Sequence, residues 1–179
     1  MNPEKILRDP LLVARGASSR LRLIGLGLIC VLTCLWTEIE FLYHKADRLR
    51  AVKEARIHSR FTSRPVLNYG CGETNYGDVN ADIVPRNLPN FVLIKPSPAS
   101  TPFRDAFFAA AICSNVLEHV SDPYSLLREL KRISDKVCLS IPNPLFVWSW
   151  LYPEHLWIFI RSRPYRIRRE APNLEEKRR

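Results

Sequence analysis

Two histidines are the side chains in this sequence best suited to moving a proton. His119 directly follows Glu118, and His155 stands in the segment PEHLW. An imidazole exchanges a proton near neutral pH, so both rings are candidate general bases and Glu118 is a candidate catalytic carboxylate. The competing interpretation of His119 is a structural residue whose ring nitrogens fix a turn by hydrogen bonding.

A glycine pair marks a place where a ligand could approach the backbone closely. Gly70 and Gly72 flank Cys71, directly after the apolar run Val66–Tyr69. Glycines at the end of a first strand allow a sharp turn and a close approach of the backbone to a bound molecule. Asp82 ends the next predicted strand, where a carboxylate accepts hydrogen bonds from a ribose diol. The pattern predicts a cofactor site at the carboxyl edge of a parallel sheet.

The elements that would position these residues alternate between strands and loops, with one clear helix. Strands are predicted at Val66–Tyr69, Asn80–Val84, Phe91–Ile94, Ala110–Ser114 and Val137–Ile141. A helix is predicted from Pro123 to about Ser134, with Asp122 as its N-cap and proline at its first position. This order indicates an α/β protein with a mostly parallel sheet.

Four short segments resemble a known family in their order and spacing. They read VLNYGCGE at Val66–Glu73, NADI at Asn80–Ile83, TPFRDAFFA at Thr101–Ala109 and NVLEHVSDP at Asn115–Pro123. In this arrangement the chain resembles the small methyltransferase-domain branch of the class I S-adenosylmethionine-dependent methyltransferases. The resemblance covers roughly residues 65–160 and implies a truncated, Rossmann-like form of that fold. The last segment, with the helix that follows it, is the most specific match.

The resemblance also implies roles for individual residues. The implied cofactor-binding residues are Gly70, Cys71, Gly72, Asp82, Ser114 and Asn115. In such enzymes the glycine turn wraps the methionine part of S-adenosylmethionine, the aspartate holds the ribose, and the last two positions lie near the sulfonium. Glu118 and His119 then lie on the cofactor side of the site, and His155 is the further catalytic candidate. Methyl transfer mainly requires alignment, so positioning supplies much of the rate. We predict no metal site.

The sequence departs from the family pattern at four positions. Asn68, Ser97 and Ala109 stand where the family has an acidic residue, and Thr74 stands where a third glycine often lies. Each replaced aspartate removes an acceptor for the cofactor's amine or adenine. Only ten positions separate Gly72 from Asp82, too few for the usual helix between the first two strands. We therefore expect a turn there, with a preceding helix covering the vacated face of the sheet.

The N-terminal third reads as a long hydrophobic and basic helix. We predict a basic lead over residues 1–22, a membrane helix over 23–43 and a basic stalk helix over 44–64. Leu23–Thr37 runs fifteen residues without a charge, which is short for a span unless the helix continues to Tyr43. A signal peptide and a buried or interfacial amphipathic helix are the alternatives to an uncleaved anchor.

The positive charge of the chain lies beside its apolar segments. The chain has 27 Lys and Arg against 18 Asp and Glu, a formal net charge of +9. Residues 1–64 carry +6, residues 65–160 carry −2 and the basic tail 161–179 carries +5. A nucleic-acid module usually carries its charge on the folded domain. We therefore predict a membrane lipid surface as a partner and disfavour nucleic acid.

The cysteines indicate on which side of the membrane the domain lies. There are five, an odd number without clustering, a pattern typical of reduced thiols in a cytosol-facing protein. Basic residues flank both ends of the apolar run, so the positive-inside rule gives nearly a tie. We predict single-pass membrane association with the domain facing the cytosol.

An aromatic segment precedes the basic tail. Leu145–Ile160 contains three of the four tryptophans, and tryptophan favours the head-group boundary of a membrane. The segment is therefore predicted to lie on the same membrane as the anchor. A lid over a lipid-like acceptor and ordinary core packing are the alternatives.

These observations together predict S-adenosylmethionine-dependent methyl transfer to a membrane-proximal acceptor, such as a lipid, a lipid-linked sugar or a small molecule. The first alternative is a catalytically inactive adaptor that keeps the methyltransferase fold and has lost the chemistry. The second is an RNA methyltransferase guided by the basic ends. The sequence makes no prediction of oligomeric state.

Overall fold

The computed structural model describes residues 10–96, 100–161 and 163–168, with side chains from residue 22 onward. Ser97, residues 1–9 of the predicted lead and residues 169–179 of the predicted tail lie outside the described residues.

The chain divides into two compact units, Met1–Tyr43 and His44–Arg179. Its elements are α1 (Pro10–Thr62), β1 (Val66–Tyr69), β2 (Val79–Asp82), β3 (Phe91–Leu93), β4 (Phe108–Ser114), α2 (Pro123–Ile133), β5 (Ser134–Ser140), α3 (Val147–Leu151), β6 (Trp157–Ile160) and β7 (Arg163–Arg166).

Five of the strands form one parallel sheet in the order β3-β2-β1-β4-β5. Tyr69 at the end of β1 lies opposite Ala81 in β2 and Cys113 in β4. The carboxyl ends of these three strands therefore meet at one edge of the sheet, where open α/β sheets bind ligands. The predicted mostly parallel, Rossmann-like sheet is confirmed, and so is the long N-terminal helix.

Helix α2 begins where its capping residues predict. Asp122 Oδ1 accepts hydrogen bonds of 3.0 Å from the backbone N–H groups of Tyr124 and Ser125, which satisfies two donors that a helix start leaves unpaired. Its apolar stripe includes Leu126, Leu130 and Ile133, which are fully buried in the main hydrophobic cluster. The stripe holds α2 against one face of the sheet.

The second part of α1, within the unit that begins at His44, packs on the opposite face of the sheet. Ala51 and Ala55 are fully buried in a cluster with Val66, Ala110 and Ile112. Successive strand residues point to opposite faces, so Ala111 and Cys113 of β4 join the α2 side. No helix lies between β1 and β2. As expected, the segment predicted as a stalk covers the sheet face that this missing helix leaves.

The aromatic segment contains both exposed and buried side chains. Helix α3 carries Trp148 and Leu151, which are more than half exposed, whereas Ile158 and Phe159 of β6 are buried. β6 pairs with β7 as an antiparallel hairpin outside the five-stranded sheet. Ordinary core packing therefore holds for part of the segment, which includes Phe146, Leu156 and the β6 residues Ile158 and Phe159. The outer part presents an apolar surface.

A buried carboxylate on α2 makes fold stability depend on pH. Glu129 Oε1 accepts hydrogen bonds of 2.7 Å from the backbone N–H and the hydroxyl of Thr101. The Arg132 guanidinium donates to both carboxylate oxygens, and this interaction lowers the pKa of Glu129 to about 2. A lowered pKa stabilises the fold above pH 4.5, and that stability is lost as the pH falls towards 2.

We expect Glu129→Gln to flatten this acid response. Between pH 5 and pH 3 the natural protein should lose about 2 kcal/mol more unfolding free energy than the variant. Urea unfolding of the detergent-purified protein measures the difference. Glu73→Gln, which neutralises a carboxylate with a 90% exposed side chain, should keep the natural response. Identical pH profiles for Glu129→Gln and the natural protein would contradict the prediction.

Candidate functional site

The glycine turn after β1 has the backbone conformation that its sequence predicts. Gly70 and Gly72 have φ angles of 65° and 52°, in the region that side chains disfavour. A Cβ atom at Gly70 would overlap the side chain of Val116, whereas a Cβ at Gly72 would have no neighbour within 4 Å. Gly70 therefore allows the turn to pack beside the segment after β4. Gly72 leaves open space next to the backbone.

Asp82 connects the end of β2 to this turn. Its Oδ2 accepts a hydrogen bond of 2.8 Å from the backbone N–H of Gly72, and its Oδ1 accepts one of 3.0 Å from Val84. Each carboxylate oxygen has a further lone pair. The side chain can therefore hold the turn and still accept hydroxyl groups of a ligand at the sheet edge.

The residue that replaces the family's strand-one aspartate stabilises the short β1–β2 connection. Asn68 Nδ2 donates to the backbone oxygen of Thr74 at 2.8 Å and to Asn80 Oδ1 at 3.1 Å. The amide of Asn80 in turn donates to Asn75 Oδ1 and to the backbone oxygen of Pro89. These side-chain amides hold the loop that connects β1 and β2 without a helix. Asn68 is therefore a structural residue here.

Cys71 lies in the turn as a neutral thiol. Its side chain is buried, and burial raises its pKa to about 11. A thiol with so high a pKa is protonated at neutral pH and is a poor nucleophile. Its place in the turn fits the predicted contact with a cofactor, without covalent chemistry.

Unpaired polar atoms cluster at the ends of β4 and β5. Ser114 Oγ, Asn115 Oδ1 and Ser140 Oγ are buried and have no hydrogen-bond partner among the described residues. Ser114 lies opposite Ser140 in the strand register. Leaving a buried polar atom unpaired costs about 1–3 kcal/mol, so each such atom calls for a partner. The atoms lie at the edge where a cofactor would supply one.

Ser140 is the member of this group that sequence reasoning missed. It ends the fifth strand, two residues before Pro142. Its alignment with Ser114 depends on the register between β4 and β5, which no local sequence pattern specifies. The one available signal was a serine next to the last residue of the otherwise apolar predicted strand Val137–Ile141.

The three predicted catalytic residues come together although His155 is remote in sequence. His119 Nε2 lies 3.9 Å from Glu118 Oε1, and the two imidazole centroids are 4.9 Å apart. The backbone N–H of Leu156 donates to the carbonyl oxygen of Glu118 at 2.7 Å. That bond brings the start of the β6 hairpin, and His155 with it, beside the segment after β4.

Burial controls the charges in this cluster. Glu118 is 1% exposed, and its burial raises its pKa to about 8. Burial also lowers the pKa of His119 and of His155. At neutral pH all three groups are therefore mainly uncharged, and the two neutral imidazoles can accept a proton.

Each imidazole is held through one nitrogen. His119 Nδ1 lies 3.1 Å from the backbone oxygen of Glu154, and His155 Nδ1 lies 2.9 Å from that of Ser149. A carbonyl oxygen only accepts hydrogen bonds, so each neutral ring carries its proton on Nδ1 and a lone pair on Nε2. His119 therefore has the predicted structural hydrogen bond through Nδ1, and its Nε2 can still accept a proton.

Open parallel α/β sheets of this kind bind ligands at the carboxyl ends of their strands, which here are the ends of β1, β2 and β4. Residues 67–136 match the family model described as "Methyltransferase domain". This match includes Glu118 and His119 and agrees with the resemblance of the four segments to class I S-adenosylmethionine-dependent methyltransferases. Comparison with curated proteins and with solved structures gave no significant match.

Proposed function

We propose that this protein transfers a methyl group from S-adenosylmethionine to a membrane-proximal acceptor, such as a lipid, a lipid-linked sugar or a small molecule. One observation carries the proposal. At the carboxyl edge of the sheet, Asp82 holds the open turn at Gly72 while Ser114 and Asn115 present buried, unpaired polar atoms. A cofactor with a ribose and an amino acid part matches this edge in polarity.

The proposed cofactor site consists of residues from three strand ends. The turn at Gly70, Cys71 and Gly72 would follow the methionine part, and Asp82 would accept the ribose hydroxyl groups. Ser114 and Asn115 would face the reacting end. When bound, S-adenosylmethionine supplies the methyl group on a positively charged sulfonium. The missing acid at Asn68 leaves the cofactor's amine to other acceptors, for which Asn115 Oδ1 is available.

The imidazoles are proposed to receive the acceptor's proton. His119 has a side chain that is 32% exposed, so an acceptor can reach its Nε2 lone pair. Its lowered pKa keeps the ring unprotonated at neutral pH. His155 and Glu118 lie next to it and would fix its orientation or share the proton.

A membrane location for the acceptor rests on the apolar surfaces of the chain. Arg22–Thr62 is the one helix in the described part of the chain that is long and apolar enough to cross a bilayer. Within the second unit, α3 exposes Val147, Trp148 and Leu151. Such an apolar patch suits the boundary of a bilayer. The free cysteines fit a domain that faces the cytosol.

The alternative function is a non-catalytic adaptor with the same fold. The observation that favours it is the role of Asn68, whose side chain is engaged in holding the β1–β2 loop and offers no carboxylate to a cofactor. An adaptor would retain the sheet and the membrane attachment but would not bind S-adenosylmethionine.

Calorimetry separates the two functions. The full chain should first remain in the membrane fraction after carbonate extraction, as a spanning helix requires. After detergent purification, titration with S-adenosylmethionine should give saturable heat and a rise in Tm. Absence of both at about millimolar cofactor would defeat the enzyme proposal, and release by carbonate would defeat the membrane span.

A further inference from the structure

We propose that Glu118, His119 and His155 form a binding site for a divalent transition-metal ion. One ligand atom from each residue lies within 4.8 Å of the other two. Two imidazoles and one carboxylate form a donor set that binds Zn²⁺ and related ions with a coordination position left open.

The hydrogen bonds around the cluster prepare both rings for coordination. In each ring Nδ1 donates to a backbone carbonyl oxygen: His119 Nδ1 donates to that of Glu154, and His155 Nδ1 donates to that of Ser149. Metal-binding histidines typically make this second contact, which fixes the ring orientation and the tautomer. Nε2 is then the nitrogen with a free lone pair in both rings.

The Glu118 carboxylate is also free to coordinate a metal ion. Glu118 is 1% exposed, and neither of its oxygens has a hydrogen-bond partner among the described residues. A buried carboxyl group without a partner is costly unless a cation or a donor satisfies it. A metal ion between the carboxylate and the two Nε2 atoms would supply that partner.

The distances require only a small closure of the cluster. Bonds of about 2.0–2.1 Å in a tetrahedral site separate the ligand atoms by roughly 3.4 Å. His119 Nε2 and Glu118 Oε1 are 3.9 Å apart. All three ligand atoms lie within 4.8 Å of one another, so side-chain rotations that bring them together by up to about 1.4 Å would complete the site.

The donor set selects the kind of metal. Two nitrogen ligands favour Zn²⁺, Fe²⁺ or Co²⁺ over Mg²⁺ and Ca²⁺, which prefer oxygen-only sites. The partial exposure of His119 places the open position towards solvent, where an acceptor oxygen could bind and become more acidic. This catalytic role rests on the proposed function, whereas metal binding does not. With metal bound, the imidazoles would hold the ion instead of accepting the proton.

Cobalt titration of the metal-stripped full chain in detergent tests the site. We expect one Co²⁺ per chain, with the visible absorption bands of a four- or five-coordinate ion, displaced by Zn²⁺ but not by Mg²⁺. Lack of a near-ultraviolet thiolate band would separate this site from Cys30 and Cys34. His155→Gln and His119→Gln should each weaken Co²⁺ binding more than about tenfold.

The matched control is His58→Gln, a histidine of α1 outside the cluster, which should bind Co²⁺ as the natural protein does. Thermal unfolding of each variant, followed by circular dichroism, reports that the domain is folded. Absence of the cobalt bands, or bands unchanged in His155→Gln, would overturn the metal site. If Co²⁺ binds and S-adenosylmethionine does not, the proposed function fails while the metal site stands.

Discussion

Asp82→Ala should weaken S-adenosylmethionine binding by about 10- to 100-fold, the effect of losing hydrogen bonds to a charged group. The substitution removes the proposed acceptor of the ribose hydroxyls. It also removes the acceptors for the backbone N–H groups of Gly72 and Val84, so the turn loses its link to β2. Isothermal titration calorimetry of the detergent-purified protein measures the change.

Two further variants separate these effects. Asp82→Asn keeps the size of the side chain but has only one acceptor oxygen, so its affinity should fall between those of Asp82→Ala and the natural protein. Asp105→Asn changes a carboxylate whose side chain is 79% exposed and should bind as the natural protein does. Binding by Asp82→Ala within about twofold of the natural value would remove this residue from the cofactor site.

The sequence was most informative where local chemistry determines structure. Val66–Tyr69 forms a strand with the predicted bounds. This short run lies between Pro65 and Gly70 and is too short to form a stable helix. Helix α2 begins at Pro123 because Asp122 accepts the first free N–H groups. Both signals involve neighbours in the chain, and both could be recognised without knowledge of tertiary contacts.

Strand ends were less predictable because pairing partners decide them. β4 begins at Phe108, two residues before the predicted start at Ala110, and β5 begins at Ser134 instead of Val137. Phe108 lies opposite Ser134 in the register. Pairing between β4 and β5 therefore continues beyond the predicted start of each strand. The polar start of β5 resembles a loop in sequence, and only the neighbouring strand makes it a strand.

The candidate site shows the same division between local and tertiary information. Gly72 and Asp82 were predictable as a pair because each ends or follows a strand in the same sheet. The approach of His155 to Glu118 depends on a tertiary hydrogen bond from Leu156, which leaves no periodic signal. Sequence reasoning therefore nominated each residue for catalysis but did not reveal that together they offer a ligand set for a metal.

Ala55→Glu should produce the largest loss of stability, at least about 3 kcal/mol, because it places an unpaired charge in a close-packed contact. Ala55 is fully buried where α1 contacts the sheet, in the cluster with Val66 and Ile112. Alanine lets the helix backbone approach the strands closely, and no space is available for a longer side chain. Thermal unfolding of the detergent-purified protein should show a Tm lower by roughly 6–12 °C.

The matched control is Ile57→Glu, two residues along the same helix, where the side chain is 44% exposed. This variant introduces the same charge at nearly the same place and should change the Tm by no more than about 2 °C. Equal Tm values for the two variants would mean that α1 does not cover the sheet in solution.

Because α1 replaces the missing helix between β1 and β2, a loosened α1 should also release the glycine turn. Ala55→Glu should therefore weaken S-adenosylmethionine binding below its own unfolding temperature, while Ile57→Glu leaves that binding unchanged.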